Sequence, residues 1–170
     1  MLQHAQITDA EVYLDDKSLV GFCKEFNLPE IESTQVEHET LGSVGVLKLP
    51  RRGLSALEGS MVMSFADPEF LGITSNPRNA ARFQLHSKLD AFDALGLNED
   101  NSTTLVTHIT ALFHKSAYGG LKKDDGASEH TAEFSITKIM QRDVNASTPI
   151  VEIDLFANIY KVNGEDVWPS

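Results

Sequence analysis

Cysteine is almost absent: Cys23 is the only one in 170 residues. A single thiol excludes an intrachain disulfide and a zinc centre built from several thiolates, and it fits assembly in a reducing compartment. Cations are scarce too. Lys and Arg number 14 against 25 Asp and Glu, for a net charge of -11. That balance excludes a protein whose whole surface grips phosphates, because such binding needs clustered cations to release counterions. Aromatic residues are 8% of the chain, with one tryptophan, Trp168, near the end. No uncharged stretch approaches the ~20 apolar residues of a membrane span. Met1–Ala10 lacks the basic start and apolar run of a signal peptide, so synthesis and first action in a cytoplasm are expected.

The composition that remains is that of a soluble globular protein, with 41% apolar residues and a mean hydropathy of -0.19. The length suits one domain spanning 1–170, and no repeat, low-complexity tract or linker divides it. The dominant period is two, the signature of strands. In Glu129–Thr137, Ala132, Phe134 and Ile136 point one way and Glu129, Thr131, Glu133, Ser135 and Thr137 the other. In Leu57–Phe65 the apolar set is Leu57, Met61, Met63 and Phe65, against Glu58, Ser60 and Ser64. Ala81–Leu89 and Thr103–His114 alternate in the same way, and Val151, Ile153, Leu155, Ala157 and Ile159 are read as one further strand. Shorter strands are expected at Glu11–Leu14 and Leu19–Phe26 around an Asp15-Asp16-Lys17 turn, and Ile31–Thr40 is mostly polar on both faces, so that its inward parity is ambiguous. One short helix is expected from Asp67-Pro68, an N-cap followed by a first-turn proline, closed by Asn76-Pro77. Asn163-Gly164 signals a tight turn.

Two segments read as long loops. Leu41–Ala56 carries Lys48, Arg51 and Arg52 and no acid; Lys115–Ala127 is rich in lysine, aspartate and glycine. Asp90–Asn101 reads as an irregular patch holding Asp90, Asp93, Glu99 and Asp100 and no base. Signals of catalysis are poor. Gly53-Leu54-Ser55-Ala56-Leu57 lacks the last glycine of a nucleophile elbow, and Gly42–Gly45 is not followed by the Lys-Ser/Thr of a phosphate loop. His108 and His114 share a strand face about 20 Å apart at ~3.3 Å per residue, too far to share a metal. Glu129 and Glu133 are about 13 Å apart by the same rise, wider than the ~5–9.5 Å of a glycosidase pair. No catalytic, cofactor or metal site is expected, and the residues alone point to a non-enzymatic mainly β domain.

Three stretches resemble the major tail tube protein family of contractile-tailed bacteriophages, which includes the tubes of R-type pyocins. The first is Val12–Pro29, VYLDDKSLVGFCKEFNLP, and the second the loop Gly42–Gly45 with the strand Leu57–Phe65 after it. The third is Glu152-Ile153-Asp154, then Lys161-Val162-Asn163-Gly164 with Asp166 two further on, which is similar to the closing run of that family. The resemblance implies an antiparallel β-sandwich or partial barrel with one short flanking helix and a long extended hairpin loop. It implies six copies in a ring, their strands joined into one barrel, and rings stacked into a tube inside a contractile sheath. The expected partners are further copies of the chain, the sheath protein, the tape measure protein, and baseplate and tail terminator proteins. DNA would pass through without specific binding, and the location would be the virion, assembled in the bacterial host cytoplasm. The alternatives are the inner tube of a pyocin-like or secretion-type injection machine and, in another class, a carbohydrate-binding β-sandwich.

On that reading, strand parity assigns Glu58, Ser60, Ser64, Glu129, Thr131, Glu133, Ser135 and Thr137 to the lumen. The loop with Gly42, Gly45, Leu47, Lys48, Leu49, Arg51, Arg52 and Leu54 is expected to reach the next ring, and Asp90, Asp93, Glu99 and Asp100 to form the acidic surface that receives it.

Overall fold

The half-buried strand around Phe134 organises the fold. The structure, a computed structural model, describes residues 3–65, 67–119 and 129–169. Residues 120–127 of the second expected loop lie outside the described residues. The strands are β1 (His4–Leu14), β2 (Lys17–Ser18), β3 (Cys23–Asn27), β4 (Ser33–His38), β5 (Leu47–Leu54) and β6 (Glu58–Met63). A helix, α1 (Pro68–Thr74), follows, then β7 (Ala81–Asp93), β8 (Gly96–Ala117), β9 (His130–Asp143), β10 (Val151–Asp154), β11 (Ile159–Val162) and β12 (Glu165–Asp166).

All pairing is antiparallel. The main sheet runs β12-β11-β10-β9-β8-β7-β1-β2, and β6 joins β9 as a branch that carries β3. β9 therefore has two partners on one edge. Its first half pairs with β6, from Glu58↔Ser135 to Met63↔His130. Its second half pairs with β10, from Val151↔Gln141 to Asp154↔Lys138. The turn after β2 brings the chain back to β3: the Leu19 amide donates to the Val12 carbonyl at 2.8 Å, and the Cys23 amide to the Leu19 carbonyl at 3.0 Å. The path β1, β3, β6, β9, β8, β7 thus curls into the expected partial barrel.

The inside of that curl is the core. Met61, Met63, Ala132, Phe134 and Ile136 are buried, as their alternation requires, with Phe83, Ile109, Ala111 and Phe113 opposite. Phe134 stacks on Phe83 at 5.7 Å, meets Phe113 edge-on at 5.5 Å and lies tilted against Phe26 at 5.5 Å. Gly59 is paired with Phe134, and a Cβ there would lie 2.6 Å from the Phe134 ring and 2.9 Å from the Asn27 carbonyl oxygen. No other residue fits the approach of ring and strand.

The helix forms where its caps predict. Asp67 accepts a hydrogen bond from the Glu69 amide at 3.2 Å, and Lys17 reaches Asp67 at 2.5 Å and Glu69 at 3.0 Å. Lys17 holds the Asp67 carboxyl below its usual range. Phe70 meets the edge of the His130 ring at 5.6 Å, and Tyr118 stacks on the same ring at 5.4 Å. His130 bonds Ser116 at 2.7 Å through Nε2, and Ser116 bonds Thr74 of the helix at 3.1 Å. This polar chain ties α1 to β8 and β9. Burial alone lowers the His130 pKa, which favours the neutral ring.

Four expectations need correction. Leu41–Ala56 is not all loop: Leu47–Leu54 is a strand that pairs with Ser33–His38 as a separate two-stranded sheet. Neither face of this hairpin is fully covered, so burial imposes no alternation on it. Asp90–Asn101 is not irregular throughout, since β7 and β8 run on to a turn at Ala94-Leu95. Val151–Ile159 is two strands, not one. The Asp154 carboxylate accepts from the Phe156 and Ala157 amides at 3.1 Å each and turns the chain, leaving Leu155 and Ala157 exposed. Phe65, expected inward, is 60% exposed beyond the end of β6, where it packs against Phe22.

Gly59→Ala is expected to destabilise the protein by about 1–3 kcal/mol, because the added methyl must displace the Phe134 ring or β3. Urea denaturation monitored by circular dichroism measures it; an unchanged midpoint contradicts the packing described.

Candidate functional site

The wet side of the barrel is one surface. Cross-strand register sets Glu58 beside Ser135, Ser60 beside Glu133 and Val62 beside Thr131. On β3, Asn27 lies opposite Ser60 and its side-chain amide donates to the Ser60 hydroxyl at 2.9 Å. Two expected strand faces therefore become one continuous face across β3, β6, β9 and the end of β8. Glu58, Ser60, Thr131, Glu133 and Ser135 meet on it. Glu129 precedes β9, and Ser64 follows β6 with its amide donating to the Phe22 carbonyl at 2.8 Å. Thr137 turns its hydroxyl to the Thr110 carbonyl at 3.3 Å, where β8 and β9 slip in register.

Sequence parity missed the cations on this face. Lys24 pairs with Glu129 at 2.6 Å, and Lys115 lies 3.7 Å from Glu133. Glu129 raises the Lys24 pKa, so the ammonium stays charged beside it. The partners of the first pair are 105 residues apart in the chain, and no local spacing announces them. Each lysine is set against a glutamate, so the face is hydroxylic and acidic with its cations neutralised. A hollow of about 420 Å³ lies at its margin, bordered by Glu30, Glu32, Glu58, Glu133 and His114.

The hairpin β4–β5 is the second feature. Val36 pairs with Leu49 and His38 with Leu47, which makes one face apolar; Glu37 pairs with Lys48 on the other, with an ion pair of 3.3 Å. Leu47 and Leu49 are exposed, while Leu54 at the hairpin base packs against the core. The tip turns at Gly42, which has a φ of +79° that favours glycine. Ser43 steadies the tip, its hydroxyl donating to the Gly45 carbonyl at 2.6 Å. Leu41 and Val44 stand fully in solvent there, at 106% and 107% of their reference exposure. They are apolar side chains held on a shaped turn, with nothing among the described residues to cover them.

The basic residues of this segment do different work from one another. Lys48 is held by Glu37. Arg52 donates to the Pro169 carbonyl at 2.8 Å and lies 5.9 Å over the Trp168 ring, a cation–π distance. It docks the chain end on the hairpin base, across a hollow of about 420 Å³ that also touches Leu54, Ile153, Tyr160 and Asp166. Of the expected acidic residues, Asp90 accepts from the Thr8 hydroxyl at 2.6 Å and Asp93 from the Leu95 amide at 2.8 Å. Glu99 and Asp100 are exposed on β8. Among the described residues, no group of three or more His, Cys, Asp or Glu side chains is placed to hold a metal.

A hydroxylic sheet face and an apolar turn held away from the core are features of a self-assembling subunit. The family model of phage tail tube protein FII matches residues 4–170. The chain belongs to that family. It is a structural subunit of a tail tube. The fold of this tube subunit is similar, at 7% identity, to a chain of the PVC sheath-tube complex, an extracellular contractile injection system in the extended state. The TM-score is 0.58, over 82% of this chain and 91% of that one. A chain of the PVC sheath/tube terminator is similar at 10% identity and a TM-score of 0.56, over 81% and 95%. Hcp1 from Salmonella typhimurium is similar at 15% identity and a TM-score of 0.50, over 92% and 100%. Identities this low speak for the fold alone. Comparison with curated proteins gives no match.

Arg52→Ala in the tube subunit is expected to free the chain end and shift the emission of Trp168, the sole tryptophan, to longer wavelength. The loss of stability should be only about 0.5–1 kcal/mol, the worth of an exposed cation–π contact. Emission that stays unchanged contradicts the docking.

Proposed function

We propose that six copies close into a ring with the β3–β6–β9–β8 face turned to the lumen, and that rings stack through the β4–β5 hairpin into a hollow tube. The continuous wet face carries the reading. A sheet with one apolar side in a core and one broad hydroxylic side suits the wall of a water-filled channel, and open strand edges are an aggregation hazard until a neighbour pairs them. The lumen residues on this reading are Glu58, Ser60, Thr131, Glu133 and Ser135, with Glu129, Ser64 and Thr137 at the margins. A wall whose lysines are already paired with glutamates offers DNA few cations to exchange for its counterions, so the polymer would slide without sticking.

The hairpin supplies the stacking contact. Leu41, Val44, Leu47 and Leu49 would bury against the next ring, at roughly 25 cal/mol per Å² of apolar area. Gly42 and Gly45 shape the tip. With Lys48 and Arg52 engaged within the chain, charge contributes orientation and Arg51 is the cation left to supply it. The sheath-tube complex and the tube terminator among the similar structures support a sheath and a terminator as partners; a tape measure protein and a baseplate would complete the set. Assembly would take place in the cytoplasm of the bacterial host, and the tube would be the conduit for DNA at ejection. The inner tube of an injection machine is the second reading, favoured by the likeness of the fold to the PVC chains. A carbohydrate-binding module is disfavoured because Arg52 occupies a face of the Trp168 ring, where a sugar would stack.

Negative-stain microscopy of the purified protein tests the proposal. The wild type should form rings and tubes. Leu41→Ser with Val44→Ser should keep the melting temperature, since neither side chain touches the core, and should leave rings while tubes disappear. A wild type that stays monomeric at all concentrations and salts, or normal tubes from the double variant, would count against it.

A further inference from the structure

Little joins the β4–β5 hairpin to the rest of the molecule. It is a sheet of its own, with no main-chain pairing to the ten-stranded sheet among the described residues. Every residue of β5 except Leu54 is exposed. The root is closed by a backbone bond from the Ser55 amide to the Glu32 carbonyl at 2.8 Å, and Leu54 packs there against the core. Close packing is what fixes one element against another, and this root is bordered by two hollows of about 420 Å³ each. One touches Gly53 and Leu54; the other touches Leu28, Glu30, Glu32, Ser55 and Ala56. Held by Leu54 alone, the hairpin would be an arm on a hinge.

Arg52 supplies a second attachment. β4 and β5 lose register between the Ser33↔Leu54 and Gln35↔Pro50 pairs, so Thr34 alone faces Arg51, Arg52 and Gly53. The Thr34 hydroxyl donates to the Gly53 carbonyl at 3.1 Å and holds this bulge. A bulge takes a residue out of the ladder and re-aims its side chain. The Arg52 guanidinium meets two successive residues of the chain end, donating to the Pro169 carbonyl at 2.8 Å and lying 5.9 Å over the Trp168 ring. The chain end is itself fixed. The Val167 amide donates to the Tyr160 carbonyl of β11 at 3.0 Å, and Trp168 is half-buried. The side-chain bonds of Thr34 and of Glu37 with Lys48 stay within the hairpin. Among the described residues, Arg52 is therefore the polar link from the hairpin strands to the edge of the main sheet.

We propose that Trp168 and Pro169 form a strap that, through Arg52, sets the angle at which the hairpin stands. Arg52 and Trp168 are then positioning residues for stacking, a role that rests on the reading of the hairpin as the contact between rings. In the strapped pose Leu41 and Val44 stand in solvent, presented to a neighbour. An arm that swings presents its tip for only part of the time, and its apparent affinity falls by that fraction. Ordering such an arm at the moment of contact costs conformational entropy, which the strap removes beforehand. The apolar tip supplies the affinity and the strap supplies the pose.

Spin-label distances read the arm directly. In a Cys23→Ser background, labels on Glu39→Cys near the tip and Ser147→Cys on the body occupy exposed sites. Below the assembly threshold, electron–electron resonance should give one narrow distance distribution when Arg52 and Trp168 are present. Arg52→Ala and Trp168→Ala should each broaden it, and the two together should broaden it no further, since each acts through the other. Trp168→Phe, which keeps an aromatic face for the cation, should restore most of the narrow distribution. Without labels, Arg52→Ala and Trp168→Ala should each raise the concentration needed for tubes about three- to tenfold, read by light scattering, with melting little changed. A distribution that is broad with the strap intact, or unchanged in both alanine variants, overturns the strap. A broadened distribution with an unchanged assembly threshold overturns its positioning role while leaving the tube reading standing. A protein with a narrow distribution that never polymerises overturns the stacking reading, and the strap stands as a property of the subunit.

Discussion

β9 must serve two strands on one edge, and the rest of the molecule follows from how it does so. Thr131–Ser135 pairs with β6 and Lys138–Gln141 with β10, and β8 spans both halves on the other edge. The sheet splits where Ile136 donates its amide to the Leu57 carbonyl and Thr137 accepts from the Leu155 amide. One half curls back through β3 to make the barrel; the other extends through β10–β12. The Phe134 ring fills the angle between them, with Phe83, Phe113 and Phe26 around it. Such a cluster buries large rings in edge and offset contacts that exceed their area alone. It also fixes Gly59, and through Gly59 the seat of β3, which borders the wet face.

That arrangement leaves the outside of the molecule divided by chemistry. The β3–β6–β9–β8 face is hydroxyl and carboxylate, with Lys24 and Lys115 neutralised. The outer face of β7–β8–β9 mixes signs, with Arg82, His86, Lys138 and Arg142 flanked by Glu11 of β1 and by Glu152 and Asp154 of β10, and the hairpin tip is apolar. On the proposed reading, the wet face would serve as the lumen and the apolar tip as the contact between rings. In such a contact, electrostatics would select the register while burial of apolar area would hold it.

Much of the barrel was legible in the sequence because burial on one face writes a period of two. Met61, Met63, Ala132, Phe134 and Ile136 were assigned inward and are buried, and Asp67-Pro68 announced a helix that starts there. The hairpin β4–β5 was not legible as a strand pair, since neither face of it is covered and Pro50 and Gly53 argue against a strand. Nor were the far ends of β7 and β8, where the core no longer imposes alternation. Phe65 was misassigned because parity persists on paper past the residue at which β6 stops. Of the site, the glutamates and serines of the wet face were readable; their lysine partners and the docking of Arg52 on Trp168 depend on pairings between distant parts of the chain.

The central claim is that the hydroxylic face lines a channel. A cryo-electron microscopy reconstruction of tubes grown from the purified protein tests it most directly. The account predicts six subunits per ring, with Glu58, Ser60, Thr131, Glu133 and Ser135 on the inner wall. A tube with those side chains on its outer surface, or buried between rings, would contradict it.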